Sequence, residues 1–338
     1  MPAEPGGSLL AAVEERFLVP VYTSRHARFW VASHRALALP LTLRGPLTRY
    51  EGSVAGERLR IACAGRPKRF EFLLGRLAAE RLRGDTPAVR LWSPATLAAL
   101  DADLVAANVH RWVAPTFARA GWLLVPDAVR WRAATAYLPP RSPGRSLASN
   151  LRKAERLGCM FEPAGTPADW REFFDAMVVP LATTRHGERA WMPSHRFRRT
   201  LERRATLYFL RRGGMRVAGI CSVRGRASVW YPLIGVRDAD PELLANGITT
   251  AVLAAAFAAA RAEGILWVDC GRTDPFPDDG VAWAKRAWGF VPVRDPLAHL
   301  VALRCADGGL AARLFARTPV FVERGGTIEV AGGGDDAA

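Results

Sequence analysis

Apolar and polar residues follow a helical spacing in the middle of this chain and a strand spacing further on. Residues 146–157 read SLASNLRKAERL, and their leucines fall on one side of a helix. The pattern predicts a helix over Ser146–Leu157, closed by Gly158. Asp169–Val178 and part of Trp191–Arg204 predict two more helices before the pattern changes.

Short apolar runs separated by glycine-containing turns then predict consecutive strands, in the manner of a meander. A long alanine-rich helix follows, with Asn246 as its predicted N-cap. A strand, a short basic helix and a last strand complete the order. The predicted elements are the strands Ala205–Arg211, Met215–Val223 and Ser228–Ile234, the helix Gly247–Glu263, the strand Ile265–Val268, a helix beginning at Gly280, and the strand Ala298–Arg304.

The first third of the chain predicts a separate α/β unit. Its expected elements are strands at Leu37–Leu43, Leu59–Ala64 and Val89–Trp92, and a helix at Phe70–Arg83. We therefore divide the chain into a disordered leader (1–8), an N-terminal α/β domain (9–121), a second domain (122–310), and a C-terminal extension with a disordered tail (311–338). The predicted fold class is α/β (α+β), with mixed, mostly antiparallel sheets.

Composition changes this picture in one respect. The chain of 338 residues is half hydrophobic, which excludes wholesale disorder, but its net charge is +15. A charge of that size favours an anionic partner such as nucleic acid, a phosphorylated substrate or an anionic membrane surface. Only Lys68, Lys153 and Lys285 are lysines among 47 basic residues, and a GC-rich genome would explain that arginine bias but not the excess of base over acid.

The sequence suggests a cytoplasmic protein that is not anchored in a membrane. Its five cysteines include no CxxC pair, as expected in a reducing compartment. The first residues lack the charge pattern of a signal peptide, and the most apolar segment, Ile248–Ala260, is shorter than the roughly 20 residues that span a bilayer. His186 and His195 lack the spacing of zinc ligands, so no metal site is predicted.

Candidate chemistry is concentrated in one stretch, Ile265–Phe290. A buried strand leads into the polar corner Asp269-Cys270-Gly271-Arg272-Thr273, and a loop and a short helix with Lys285 follow. Such a stretch can hold reactive groups on rigid supports. Cys270 is more typical of packing than of a nucleophile.

Two motifs in this order resemble the FemAB-like branch of the GNAT acyltransferase superfamily, including BioF-like acetyltransferase domains. Asn150–Gly158 is similar to the family's NxRKAxxxG helix. Asp269–Thr273, Gly280 and Lys285–Gly289 are similar to its D-x-G-R-S … G … F-K-x-x-W-G signature. Thr273 stands where the family has serine, and Ala284 stands where it has an aromatic residue, which Trp283 could replace.

The resemblance implies a GNAT-like fold, with two tandem units, and an acyltransferase. FemAB enzymes transfer an aminoacyl group from aminoacyl-tRNA to an amine, with no bound cofactor. Ordinary GNAT enzymes use acyl-CoA and hold its pyrophosphate in a glycine-containing loop. At the corresponding place this chain has Arg237-Asp238-Ala239-Asp240-Pro241, which has no glycine and two acids.

The same resemblance indicates the site residues. Lys285 would neutralise developing negative charge or hold a phosphate. Asp269 would accept a proton, orient Arg272 or cap a turn, and Arg272 would bind a carboxylate or phosphate or pair with Asp269 or Asp274. Four residues are predicted to bind substrate: Thr273, Trp283, Trp288 and Tyr231. The predicted tRNA or phosphate contacts are Arg152, Lys153, Arg156, Arg198, Arg199, Arg203 and Arg204.

Three hypotheses follow for the function. The first is transfer of an aminoacyl group, from aminoacyl-tRNA, to a small-molecule or peptide amine. The second is an acyl-CoA-dependent N-acyltransferase of the BioF-like kind. The third is a non-catalytic protein that binds RNA or another polyanion on a GNAT scaffold.

Overall fold

The computed structural model describes residues 17–332 except 25, 55, 83, 85, 86 and 188–191, and it leaves the side chains of 40–42 and 186 undescribed. The predicted leader and most of the predicted tail lie outside these residues. No helix in the described part of the chain is long and apolar enough to cross a membrane.

Helices occur in both halves of the chain. They are α1 (residues 17–23), α2 (Ala27–Thr42), α3 (Glu71–Arg76), α4 (Pro94–Ala98), α5 (Ala114–Arg119), α6 (Arg145–Arg156), α7 (Pro167–Glu172), α8 (Val179–His186), α9 (His195–Arg204), α10 (Pro241–Ala245), α11 (Ile248–Ala262), α12 (Gly280–Ala287) and α13 (Gly308–Arg317). A π-helical turn, Phe173–Val178, joins α7 to α8, and 3₁₀ turns lie at Pro67–Phe70, Thr135–Tyr137 and Arg237–Ala239.

The strands are β1 (Arg44–Val54), β2 (Glu57–Ala64), β3 (Glu80–Arg81), β4 (Ala88–Arg90), β5 (Leu104–Val109), β6 (Leu123–Pro126), β7 (Val129–Ala134), β8 (Met160–Ala164), β9 (Thr206–Arg212), β10 (Met215–Arg224), β11 (Ser228–Val236), β12 (Trp267–Thr273), β13 (Val291–Val293), β14 (Leu300–Cys305), β15 (Val320–Arg324) and β16 (Thr327–Ala331).

Two seven-stranded sheets organise the protein. The first has the order β3-β1-β2-β5-β14-β6 with β4 beside β1, and the second has the order β13-β7-β12-β11-β10-β9-β8. Each contains one parallel pair, β2 with β5 and β11 with β12, among antiparallel neighbours. This confirms the predicted α/β (α+β) fold class, with mixed, mostly antiparallel sheets in two bodies.

Both faces of the second sheet are covered by apolar side chains. One face packs against α6 and α11, which contribute Leu147 and Phe257 among others. The other face packs against α1, the π-helical turn and α9, whose Phe197 and Leu201 are buried there. Because successive side chains on a strand point to opposite faces, Trp230 and Tyr231 of β11 belong to different cores.

The sheets do not divide the chain at residue 121. Strands β6 and β14 come from the predicted second domain, yet β14 pairs with β5 and β6 in the first sheet. The long-range pairing of β14 with β5, across almost 200 residues, leaves no signal in local periodicity. The domain boundaries themselves stay a prediction.

Two elements predicted in the first unit are wrong. Leu37–Leu43 belongs to α2 rather than to a strand, and His34 and Ala38 are buried four residues apart, as in a helix. The predicted helix over Phe70–Arg83 ends at Arg76. Ala78 then has a φ of 46°, and β3 pairs with the edge of the sheet at β1, so pairing overrides the helical pattern.

Candidate active site

The site lies where β11 and β12 separate. Their parallel pairing covers only Ser228–Trp230 and Trp267–Asp269, although β11 continues to Val236 and β12 to Thr273. The predicted strand ended at Val268, but the polar corner continues it across a bulge at Gly271, whose φ is 71°. Beyond the paired region the strands leave a gap that side chains do not fill.

A cavity of about 390 Å³ occupies this gap. Its walls come from the separated ends of both strands, from Ile220 of β10, and from α6, α8, α11 and α12. Trp283, Trp288, Tyr231 and Phe257 give it an aromatic lining, and the described residues around it include two cations, Arg185 and Lys285, and no acid. A cavity of this kind suits an apolar acyl group next to negative charge.

Lys285 reaches the cavity from α12. Asp279 accepts hydrogen bonds from the backbone N–H groups of Val281 and Ala282 and thereby caps the helix start, and Lys285 follows in its second turn. Its Nζ donates to the carbonyl oxygen of Arg272 at 3.0 Å. Burial lowers the pKa of Lys285 to about 8, because the charged amine loses water.

The helix that carries the first motif forms a neighbouring wall. Asn150 of α6 lines the cavity, and a Cβ added to Gly247, the residue before α11, would lie 3.2 Å from the Asn150 carbonyl oxygen. Lys153 donates to the carbonyl oxygen of Ala245 at 3.0 Å. The motif therefore brings α6 into close contact with the start of α11. The prediction of Asn246 as the N-cap of α11 is wrong: Asn246 is the C-cap of α10, and Gly247 is the N-cap of α11.

Asp269 and Arg272 lie on the opposite face of β12 from the cavity. Asp269 is 1% exposed, forms an ion pair with Arg130 and accepts a hydrogen bond from the Gly271 N–H at 3.0 Å. Burial raises its pKa, and the Arg130 guanidinium opposes that shift. Of the predicted alternatives, turn capping is the one observed, and the structure does not bring Asp269 into the cavity with Lys285.

Arg272 pairs with Asp295, whereas Asp269, one of its two predicted partners, pairs with Arg130. Its Nε donates to the Asp295 carboxylate and to the Tyr22 hydroxyl at 3.0 Å, and that hydroxyl donates to Asp295 at 2.7 Å. Burial alone would raise the pKa of Asp295, but Arg272 and these hydrogen bonds outweigh it and lower the pKa. Sequence reasoning missed Tyr22 and Asp295, because their contact spans 273 positions and no motif marks either residue.

The four predicted substrate contacts divide into three that line the cavity and one that does not. Trp283 is 55% exposed at its mouth, whereas Trp288 and Tyr231 are buried in its wall. The Tyr231 hydroxyl donates to the Ala256 carbonyl oxygen at 2.8 Å. Thr273 accepts a hydrogen bond from the indole of Trp131 at 2.8 Å and is buried in the core, so it does not reach the cavity.

The predicted basic region is split by the sheet. Arg152, Lys153 and Arg156 lie exposed on α6, on the cavity side. The other helix, α9, packs on the opposite face; Arg198 there pairs with Asp175 at 3.3 Å. Arg199, Arg203 and Arg204 are exposed beside it. Arg185, which lines the cavity, lies in the segment 183–187 and was not among the predicted site residues.

Side chains of the segment Arg237–Pro241 bind the polar groups around it. Asp240 accepts hydrogen bonds from the N–H groups of Glu242 and Leu243, at 2.7 and 3.1 Å, and caps α10. Arg237 forms an ion pair with Glu172. The amides at this helix start are thus taken by a carboxylate of the protein.

A family model for the GNAT acetyltransferase domain matches residues 142–279, from just before α6 to the residue before α12. The predicted GNAT acyltransferase is confirmed: the protein contains a GNAT domain and is an acyltransferase of that type. The matched residues include the first motif and the Asp269–Thr273 part of the second. A comparison with curated proteins finds no match.

Several solved structures are similar to this chain over most of its length at low identity. L-PGS from Bacillus licheniformis is 12% identical, with 80% of this chain and 88% of that chain covered and a TM-score of 0.41. The C-terminal domain of a putative lysylphosphatidylglycerol synthetase from Agrobacterium fabrum is 12% identical, with 89% and 93% covered and a TM-score of 0.42. FemX is 12% identical, with 76% and 88% covered and a TM-score of 0.41.

Proposed function

We propose that this acyltransferase moves an aminoacyl group from aminoacyl-tRNA to an amine and forms an amide bond. The observation that supports this is the cavity between β11 and β12, which places one partly desolvated lysine against an apolar, aromatic lining without an acid among its described residues. An ester carbonyl that enters it meets a positive charge in a medium of low dielectric, where that charge is most effective.

The reaction needs no covalent enzyme intermediate. The acceptor nitrogen forms a bond to the ester carbonyl carbon, and the bond from that carbon to the ribose oxygen of the tRNA breaks. In the transition state negative charge develops on the carbonyl oxygen and then on the leaving oxygen, which takes up the proton that the attacking nitrogen gives up. The Lys285 ammonium stabilises this charge. Since Asp269 faces away, the acceptor amine enters already deprotonated from solvent.

The choice of tRNA as donor is supported by the segment before α10. A pyrophosphate of CoA needs free amides at a helix start, and Asp240 already accepts from the two amides available there. Asp238 adds a second negative charge close by. In contrast, α6 presents Arg152 and Arg156 on the cavity side, where they suit an RNA backbone.

An acyl-CoA donor is the second candidate, and one observation favours it. The first turn of α11 lines the cavity with Thr249 and Thr250, and Gly247 supplies no side-chain cap to that turn. The free N–H groups of that turn can donate hydrogen bonds to a phosphate in place of a cap.

One experiment separates the candidates. The protein is incubated with candidate amines and either total tRNA charged with mixed amino acids or a set of acyl-CoA thioesters, and mass spectrometry detects amide products. We expect an aminoacylated product with charged tRNA and none after the tRNA has been deacylated. Lys285→Met should slow product formation about 100-fold or more, the typical effect of removing one stabilising group.

Lys68→Met is the matched control, because Lys68 is an exposed lysine outside the cavity. It should leave the rate unchanged. Product from acyl-CoA alone would overturn the tRNA proposal in favour of the second candidate. Tight RNA binding with no product from either donor would leave the non-catalytic hypothesis.

A further inference from the structure

A second cavity, of about 640 Å³, lies away from the acyltransferase site. Residues of α1 and α2, β7, the turn before β11 and the segment after β13 surround it. Its most unusual feature is six arginines, Arg28, Arg35, Arg130, Arg132, Arg226 and Arg294, with no acid among its described lining residues. Six guanidinium groups around one space repel each other unless negative charge lies between them.

Two of the six are held by acids outside the cavity. Arg130 pairs with Asp269 and lies over the Tyr22 ring at 4.3 Å, and Arg294 pairs with Glu323 at 2.7 Å. Glu323 is shared, because Arg111 also binds it at 2.7 Å. These pairs fix the walls of the cavity without neutralising its interior.

The other four form no ion pair among the described residues; Glu323 acts on Arg35, and Asp269 on Arg132, only at longer range. The Nε atoms of Arg35 and Arg132 are buried and donate no hydrogen bond there. Burial and the nearby Arg111 and Arg294 lower the pKa of Arg35 to about 10. An unsatisfied buried donor destabilises a fold, more so when it is charged, and a bound acceptor would remove that cost here.

This cavity is separate from the proposed acyl site. The two share no lining residue: Ser228, at the start of β11, borders the arginine cavity, and Tyr231–Ile234, further along that strand, border the other. Arg130 and Arg132 flank Trp131, whose ring is packed in the core on the α11 side, so they point to the opposite face. A ligand bound among the six arginines is therefore not the acyl donor, which occupies the cavity between β11 and β12.

Guanidinium groups bind phosphate oxygens through paired N–H donors, and several together select a ligand with more than one negative charge. Trp112 lines the same cavity and is 53% exposed, so its ring is available for stacking. We propose that this cavity binds a small phosphate ester of nucleotide size, with the phosphates between Arg35 and Arg132 and an aromatic group on Trp112.

A small molecule suits the cavity better than an RNA backbone does. RNA backbones are bound along exposed, extended surfaces, whereas the unpaired Nε atoms of Arg35 and Arg132 are buried. The volume falls within the roughly 300–1,000 Å³ typical of small-molecule sites.

Thermal unfolding of the full chain tests the proposal, with pyrophosphate, ADP and adenosine as probes at matched ionic strength. We expect pyrophosphate and ADP to raise Tm in a concentration-dependent way and adenosine alone to have no effect. The double variant Arg35→Met/Arg132→Met should lose both shifts. Trp112→Ala should reduce the shift with ADP and leave that with pyrophosphate unchanged.

The control is Arg304→Met/Arg317→Met, which removes the same charge at two exposed positions outside the cavity and should keep both shifts. Should the first double variant fail to fold, Arg28→Met/Arg226→Met removes the two exposed arginines of the cavity and should weaken ADP binding at least tenfold. Equal shifts in wild type and cavity variants, or no shift with either phosphate probe, would overturn the proposal. So would an RNA oligonucleotide that binds through these arginines at least tenfold more tightly than ADP.

Discussion

At the scale of single residues, Lys285 is the group on which the proposed chemistry depends. Its pKa is lowered from 10.5 to about 8 by burial, so near neutral pH the amine is still charged, and it loses its proton only as the pH rises through about 8. If the charge stabilises the transition state, kcat should decline above that pH. Lys285→Arg keeps its charge throughout this range, so the decline near pH 8 should be absent from its pH profile whatever its absolute rate.

Stability measurements show whether a Lys285 variant is slow because it has lost the charge or because it has partly unfolded. With a folded pKa below the unfolded value, the cost of holding the charged lysine is present in full below about pH 8 and fades as the pH approaches 10.5. Lys285→Met removes that cost, so at pH 7 it should unfold no more easily than wild type and can gain up to about 3 kcal/mol. A variant that is inactive and less stable would contradict this assignment.

The sequence indicated Lys285, Trp283 and Trp288 correctly as neighbours, because one short helix carries the first two and Trp288 is its C-cap. The sequence did not reveal that Cys270 lines the cavity whereas Asp269 does not. On a strand adjacent residues face opposite sides, and the bulge at Gly271 decides which later residue returns to which face. Arg130 and Asp295, which bind Asp269 and Arg272, are distant in sequence and belong to no motif.

At the scale of elements, the end of β11 packs closely against the π-helical turn. A Cβ added to Gly235 would lie 2.6 Å from the Cβ of Met177 in the π-helical turn, and 2.9 Å from the Val178 nitrogen. Gly235→Ala should therefore displace the turn or the strand end and lower the free energy of unfolding by about 1–3 kcal/mol. Because Leu233 and Ile234 line the cavity, activity should fall as well.

Gly75→Ala is the matched control for chemical denaturation. Gly75 lies inside α3 with open space around an added Cβ, so alanine there should leave stability unchanged or raise it by about 0.4–1 kcal/mol. Equal stability of the two variants would show that β11 tolerates movement at its end.

Local periodicity predicted these elements unevenly. The amphipathic stripe of α6 gave its bounds to within one residue, and the meander of β9, β10 and β11 was confirmed, with Gly213 and Gly214 both at positive φ in the first turn. The predicted strand at Leu37–Leu43 was wrong because a short apolar run fits a strand or a helix equally well when the flanking sequence is ignored. Local periodicity gives no signal for pairing between strands that are distant in sequence, such as β14 with β5.

At the scale of the whole molecule, the positive charge lies on more than one surface. The sequence treated the arginines of α6 and α9 as one region, but the second sheet separates them. A single tRNA whose acceptor end enters the cavity approaches from the side of α6. The excess charge elsewhere, including the arginine cavity, then requires a different explanation.

Charge reversal on each helix tests this division. Arg152→Glu/Arg156→Glu should weaken tRNA binding strongly. For each phosphate contact that is lost, one counterion fewer is released on binding. The slope of log affinity against log salt concentration should therefore become shallower by about one unit per contact. Arg199→Glu/Arg203→Glu changes the net charge equally on the opposite face and should alter binding only through long-range attraction, which disappears above about 0.15 M salt. Affinities measured by filter binding across a salt series separate the two effects. Equal losses from both variants at high salt would mean that the tRNA wraps around the edge of the sheet, and the α6 side alone could not then be the docking surface.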